Sequence, residues 1–174
     1  WEALEILVAA VTGVRELPDK GSVLGAGSAT VCEECHLRRL EGAIGAFVRP
    51  HLYRPSLDTC LLEQGLVCLG VATRSGCGAK CPRVGMGCRG CYGAPGGVED
   101  QGAKMMAAIA SLIDVDGSDG DEQALARRTE EAMASLADPA GTLYRFSLCH
   151  SMLQQARVSE SERVSEREDA ADHD

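Results

Sequence analysis

Apolar residues follow helical spacing at the two ends of this chain and lose all regular spacing in the middle. Leu4, Leu7, Val8 and Val11 stand at i, i+3, i+4 and i+7, which lines one face of a helix over residues 2 to 12 that Gly13 can end. Met105, Ile109 and Leu112 share a face in a second predicted helix from about Glu99 to Ile113. Leu125, Thr129, Ala132 and Leu136 do so in a third, from about Glu122 to Leu136, which Pro139 stops. From about Gly21 to Gly97 neither a period of 2 nor one of 3.6 persists, because Gly and Pro cut the sequence into short pieces. Only Glu33 to Phe47 has room for a short helix there. No internal repeat is present.

Two acidic stretches punctuate the helical part. Asp114 to Asp121 (DVDGSDGD) has an acid-and-Gly character but lacks the spacing and the terminal bidentate Glu of an EF-hand, so it reads as a solvated linker. Ser151 to Asp174 carries three Arg against seven acidic residues and almost no apolar bulk after Val164, the composition of a disordered tail. The expected division is therefore 1–20, an N-terminal helix and linker; 21–98, an irregular Gly-rich region; 99–150, a helical part; and 151–174, the tail.

Composition explains why the middle needs an organiser other than a core. Two Phe, three Tyr and one Trp stand against 20 Gly and nine Cys in 174 residues, so aromatic packing cannot order that region. A net charge of −9 argues against nucleic acid, whose phosphates call for clustered Lys and Arg. No apolar run reaches the length of a membrane span, and Trp1 to Glu5 lack the basic start of a secretory signal, so a cytoplasmic location is expected. Trp1 stands where a natural start would place Met, and part of the N-terminal side is expected to lie elsewhere. In a reducing compartment closely spaced Cys are metal ligands rather than disulfides.

The ligand candidates are Cys32, Cys35, Cys60, Cys68, Cys77, Cys81, Cys88 and Cys91, with 2, 24, 7, 8, 3, 6 and 2 residues between them. Eight thiolates make two sets of four, which suit tetrahedral zinc or cubane iron–sulfur clusters. Zinc sites often close with paired C-x2-C knuckles, yet only Cys32/Cys35 and Cys88/Cys91 have that spacing. Gly-rich wraps such as Ser75-Gly76-Cys77-Gly78 and Gly87-Cys88-Arg89-Gly90-Cys91 let main-chain N–H groups approach sulfur, which favours clusters. Cys77 to Pro82 forms a C-x3-C-P run like the end of the bacterial ferredoxin signature, without the C-x2-C-x2-C before it. The fold class expected is a small iron–sulfur domain, mainly α with extensive irregular Gly-rich loops, carrying two [4Fe–4S] clusters. A stand-alone ferredoxin-like carrier and a zinc-stabilised module without redox activity are the alternatives.

A sequential grouping places Cys32, Cys35, Cys60 and Cys68 on one cluster and Cys77, Cys81, Cys88 and Cys91 on the other. An interleaved grouping, in which the two C-x2-C pairs share a cluster, stays open on sequence alone. Between Cys60 and Cys91, Arg74, Lys80, Arg83 and Arg89 face only Glu63, a local charge of +3 in an acidic chain. Cations near an anionic cluster favour its reduced form; solvated side chains, or a patch for an acidic partner, account for them equally well.

The run Thr59-Cys60-Leu61-Leu62-Glu63-Gln64-Gly65-Leu66-Val67-Cys68-Leu69-Gly70, continued through Thr73 to Pro82 and Cys88 to Gly93, strongly resembles [NiFe]-hydrogenase small subunits. It is most similar to the cytoplasmic, cofactor-coupled group: the NAD(P)-linked, deazaflavin-linked and heterodisulfide-reductase-linked enzymes and the sulfhydrogenases. The likeness covers about Trp1 to Ile113, and Thr142 to Leu148 looks familial too. It implies a distal set of Cys32, Cys35, Cys60 and Cys68, with Cys32 where membrane-bound uptake enzymes use histidine. It implies a medial set of Cys77, Cys88 and Cys91, to which Cys81 adds a fourth thiolate near a position where those enzymes have proline and a three-iron cluster. His36 is then a surface or supporting residue rather than a ligand. The flavodoxin-like domain that ligates the family's proximal cluster has no counterpart here, nor do the large subunit's nickel–iron motifs. The resemblance therefore implies a non-catalytic electron relay. Its partners would be a nickel–iron large subunit, a flavin- or iron–sulfur-containing electron-transfer subunit, and the chain or domain carrying the proximal cluster. Cys149, 58 residues beyond Cys91, is expected as a buried or inert thiol.

Overall fold

The computed structural model describes residues 2–20, 22, 24–25, 27–113 and 122–153. The acidic linker at 114–121 and residues 154–174 of the acidic tail lie outside them. Among the described residues six α-helices follow in order: α1 (Glu2–Val11), α2 (Val31–Glu34), α3 (Lys80–Arg83), α4 (Gln101–Ala110), α5 (Glu122–Ser135) and α6 (Pro139–Leu143). Short 3-10 turns occupy Leu69–Ala72 and Leu148–His150. Extended pairing among the described residues is confined to the isolated bridges Thr30–Arg74, Arg38–Thr59 and Ile44–Ile113.

α1 ends as its sequence demands, with Gly13 at φ +74° and the Val14 amide reaching back to the Ala9 carbonyl at 2.8 Å. Its apolar face is turned outward: Leu4 is 55 % and Val11 81 % exposed. α4 is the central support. Asp100 caps it by accepting from the Ala103 amide at 2.8 Å, and Met105 and Ile109 on its inner face are fully buried. Against that face pack Ile44, Phe47 and Leu62 from the irregular region, Leu69 and Ala72 of the 3-10 turn, and Leu143 and Tyr144 from the end of α6. Gly102 is needed at the α4 contact, because a Cβ there would strike the Tyr144 ring.

Three sequence expectations change. The short helix expected within 33–47 begins earlier, at Val31, because Thr30 and Glu33 form a reciprocal cap in which the Thr30 amide donates to Glu33 Oε1 at 2.9 Å. Pro139 does end the region of α5, but it also opens α6, where its missing N–H costs nothing and the Asp138 side chain accepts from Gly141 N. The packed part also extends past the expected start of the tail: Ser151 is buried, and the Met152 amide donates to Asp100 Oδ2 at 2.8 Å.

Candidate functional site

Each of the first four thiols is brought in by a different local device. Cys32 sits on α2, whose Val31 amide donates to the Thr73 carbonyl at 2.9 Å, and Cys35 follows at the helix end. Cys60 is aligned by a short pairing of two extended segments: the Arg38 amide donates to Asp58 O, and the Cys60 amide to Arg38 O at 2.8 Å. Gln64 holds the approach to it, accepting from the Ser56 amide and donating to the Ser56 and Thr59 carbonyls. Cys68 enters the 3-10 turn at Leu69. All four thiols line one crevice, and Cys32, Cys60 and Cys68 also border an adjoining cavity of about 180 Å³. At Gly70, between Cys32 and Cys68, an added Cβ would lie 3.1 Å from Cys32 Sγ and 3.7 Å from Cys68 Sγ. A side chain there would press on Cys32 Sγ, so a glycine keeps the main chain close to the sulfurs.

The second group lies on the Gly-rich wraps. Glu34, at the end of α2, receives the Gly76 and Gly78 amides on its two carboxylate oxygens at 2.8 and 2.9 Å, which clamps the loop around Cys77. Cys88 is buried and near enough to Cys77 and Cys91 to feel their charge. Cys91 is exposed. Cys81 is exposed on α3; the neighbouring Pro82 borders the first crevice, and Ala79, which caps α3, packs with Cys77 and Cys88. Among the described residues, no three His, Cys, Asp or Glu converge on a single-ion site.

Burial dominates the electrostatics of the sulfurs. It pushes the Cys68 thiol up to about 12, against the opposing pull of the Cys88 and Gly70 amides, although part of the residue remains exposed. Burial likewise raises Cys32, where the Arg39 guanidinium is the main opposing influence, and Cys88, where the Gly90 amide and Thr73 hydroxyl oppose it. Negative charge on these sulfurs is therefore costly unless cations or hydrogen-bond donors compensate, and metal loading must release protons. The Cys88 amide donates to Cys68 Sγ at 3.2 Å, so a single hydrogen bond joins a residue of one group to a sulfur of the other. Buried thiols, amides directed at sulfur and a glycine cradle fit iron–sulfur clusters.

Sequence reasoning missed four supporting residues: Glu34, Arg39, Thr73 and Gln101. Glu34 and Gln101 act through contacts distant in sequence, Thr73 is buried and Arg39 lines the crevice with Cys32; none belongs to a spaced motif. His36 is exposed, beside Cys35. For Cys149, expected as a buried or inert thiol, burial is corrected: it is exposed on the 3-10 turn Leu148–His150, between buried Tyr144 and buried Ser151.

The fold and site define a thiol-rich domain in which loops wrapped around cysteines are supported by helices. No protein-family model matches the chain. It is 42 % identical over 132 residues to a subunit of the F420-non-reducing hydrogenase of Methanothermobacter marburgensis, covering 74 % of this chain and 41 % of that protein. It is 43 % identical over 124 residues to the subunit of the same name from Methanothermus fervidus, covering 70 % of this chain and 93 % of that sequence. With the iron–sulfur subunit of the F420-non-reducing hydrogenase of Archaeoglobus profundus it shares 33 % identity over 156 residues, 87 % of this chain and 44 % of that protein. The chain belongs to this family of hydrogenase iron–sulfur subunits. It spans less than half the length of the Methanothermobacter and Archaeoglobus relatives.

Proposed function

We propose that this chain is the electron-relay part of a cytoplasmic [NiFe]-hydrogenase, a mainly α iron–sulfur domain holding two [4Fe–4S] clusters in its Gly-rich loops. Cys32, Cys35, Cys60 and Cys68 hold the first cluster; Cys77, Cys81, Cys88 and Cys91 hold the second. When bound, such clusters supply one-electron redox chemistry and make or break no substrate bond. The chain's own residues bury Cys88, direct amides at the sulfurs of Cys68 and Cys88 and hold the two sets against each other. Partners in this reading are a nickel–iron large subunit, a domain or chain carrying the proximal cluster, and a flavin- or iron–sulfur-containing subunit that exchanges electrons with the relay.

The observation that carries the reading is the Cys88 amide on Cys68 Sγ at 3.2 Å, which offers a short path between the two ligand sets. The reading is tested by isolating the complex without oxygen and measuring metals and sulfide. About eight iron and about eight acid-labile sulfide per chain are expected, as two cubanes require, with a brown colour that bleaches on reduction. Stoichiometric zinc without sulfide would overturn the reading; clusters without a co-purifying nickel protein would point to a separate carrier.

A further inference from the structure

A cavity of about 220 Å³ that contains no cysteine lies between the segment 47–51 and the end of α5. Cavities of about 150 Å³ take up a benzene-sized group, so this one can seat a large apolar side chain. Its apolar lining is sunk into the fold: Phe47 and Leu136 are buried and Val67 is half-buried. Its basic lining is turned to the surface: Arg49 and His51 are exposed and Arg89 is half-buried. No carboxylate lines it among the described residues, in a chain with 26 acidic residues against 17 Lys and Arg. The structure also separates the cations that lie between Cys60 and Cys91 in the sequence. Arg74 is committed to the fold, its Nε donating to the Ala94 carbonyl at 3.0 Å, whereas Arg89 shares this cavity with Arg49 from outside that group.

The hydroxyls of the cavity decide what it can hold. Ser135 Oγ donates to the Ala132 carbonyl at 2.6 Å and accepts from the Phe47 amide at 2.7 Å, and Thr142 Oγ1 donates to the Ala137 carbonyl at 3.0 Å. Neither has a proton left for an anion. A free oxyanion would therefore meet only basic groups open to water, where ion pairing is weak. A protein segment with an apolar side chain flanked by carboxylates gains from both parts of the cavity, by burial at its base and by charge pairing at its rim. The chain's own acidic residues 154–174 match less well. Val158 and Val164 each directly follow an Arg, which would set like charges against Arg49 and Arg89. We propose that this cavity is the docking seat for an acidic segment of another subunit of the hydrogenase complex, with an apolar side chain against Phe47 and Leu136 and carboxylates on Arg49 and Arg89. The proposal rests on the relay reading for the existence of that complex. Because Arg89 stands between Cys88 and Cys91, a segment seated here lies beside the second thiol set.

The test is zero-length cross-linking of the intact complex, prepared without oxygen, with a water-soluble carbodiimide, which joins an amine to a carboxylate only where the two are in contact. Arg49→Lys and His51→Lys each place an amine at the rim of the cavity, and both positions are exposed, so the fold tolerates the change. Each variant is expected to give a cross-link, absent from wild type, to one acidic segment of another subunit, identified by mass spectrometry of the digested complex. Adding Arg49→Glu to His51→Lys should lower the yield of that cross-link about three- to tenfold, because it sets a carboxylate against the segment's own. The proposal is overturned if neither variant gives a new cross-link, if the new cross-link joins residues 154–174 of the same chain, or if its yield is indifferent to Arg49→Glu. A chain that purifies without any other subunit overturns the partners of the relay reading and this proposal together, whereas an assembled complex without the new cross-link overturns this proposal alone.

Discussion

The two thiol sets are compensated by different physics. Around the first, the nearest charged donor is Arg39, an exposed side chain that reaches Cys32 from the rim of the crevice. Around Cys88 of the second, the surroundings are neutral and buried: the Gly90 amide, and the Thr73 side chain, whose hydroxyl accepts from Gln101 and donates to the Leu69 carbonyl. A full charge at the surface is long-ranged but screened by water and salt, while a buried dipole is short-ranged and unscreened. If both sets hold clusters as proposed, the chain sets them independently, one responsive to its ionic surroundings and the other insulated from them.

The comparison fails first if the sets are not separate, and removing single ligands tests that with the largest effect. Cys60→Ser should abolish or transform only the first cluster's paramagnetic signal. Cys81→Ser should affect only the second, with conversion to a three-iron form as the expected product. Perturbation of the same signal by both variants would contradict the sequential grouping. The exposed position of Cys81, with Pro82 at the first crevice, makes it the informative member of the pair.

Gly87 provides the next test, because it holds the sets in contact. An added Cβ there would collide with the Val67 carbonyl and approach Cys68 Cα to 3.3 Å, both backbone atoms that cannot turn aside. Gly87→Ala should force the Cys88 loop off the Cys68 segment and cost about 1–3 kcal/mol as an overpacked site does. Thermal unfolding of the loaded protein, with the rate of cluster bleaching in air, measures it; an unchanged melting temperature would mean that the two segments are not in close contact.

How much of this was legible in the sequence depended on distance along the chain. α1, α4 and α5 were visible as 3.6-residue patterns, and the eight cysteines with their Gly-rich neighbours stood out by spacing alone. Spacing could not say that Glu34 bonds to Gly76 and Gly78, 42 and 44 residues away, or that Gln101 reaches Thr73, 28 residues back. Periodicity also could not say which way a helix faces. The apolar stripe of α1 is a correct helical signal, yet it stands exposed among the described residues and contributes nothing to the core cluster. Cys149 escaped for the same reason: its neighbours Tyr144 and Ser151 are packed, but the turn between them is not.

Glu34 tests whether the sets share a scaffold. Its carboxylate lies at the end of the helix bearing Cys32 and receives two amides from the loop bearing Cys77. Hydrogen bonds to a charged acceptor are worth about 1.5–3 kcal/mol each when buried and less near the surface. Glu34→Ala should therefore speed loss of the second cluster's iron to a chelator several-fold while leaving the first cluster's retention near wild type. Equal acceleration at both would show that α2 is disrupted as a whole rather than released from one loop.

The smallest expected effect separates the two kinds of compensation most cleanly. Arg39 is fixed by its neighbours on both sides: the Arg38 amide and carbonyl pair with Asp58 and Cys60, and the Leu40 amide donates to Glu63 Oε2 at 2.8 Å. Its side chain lines the crevice with Cys32 and Cys60, with Glu63 near it to temper its charge. Arg39→Ala removes a cation that favours the reduced first cluster, so that midpoint should become more negative. Because the side chain is exposed, the shift should be only about threefold in the equilibrium, about 30 mV at low ionic strength. Salt then discriminates. The Debye length falls from about 10 Å at 0.1 M to about 3 Å at 1 M. The difference between wild type and Arg39→Ala should therefore shrink across that range. If the Arg39 difference were insensitive to salt, the guanidinium would be acting as a local hydrogen-bond donor to Cys32 rather than as a surface charge, and the contrast between the two sets would narrow to one of burial alone.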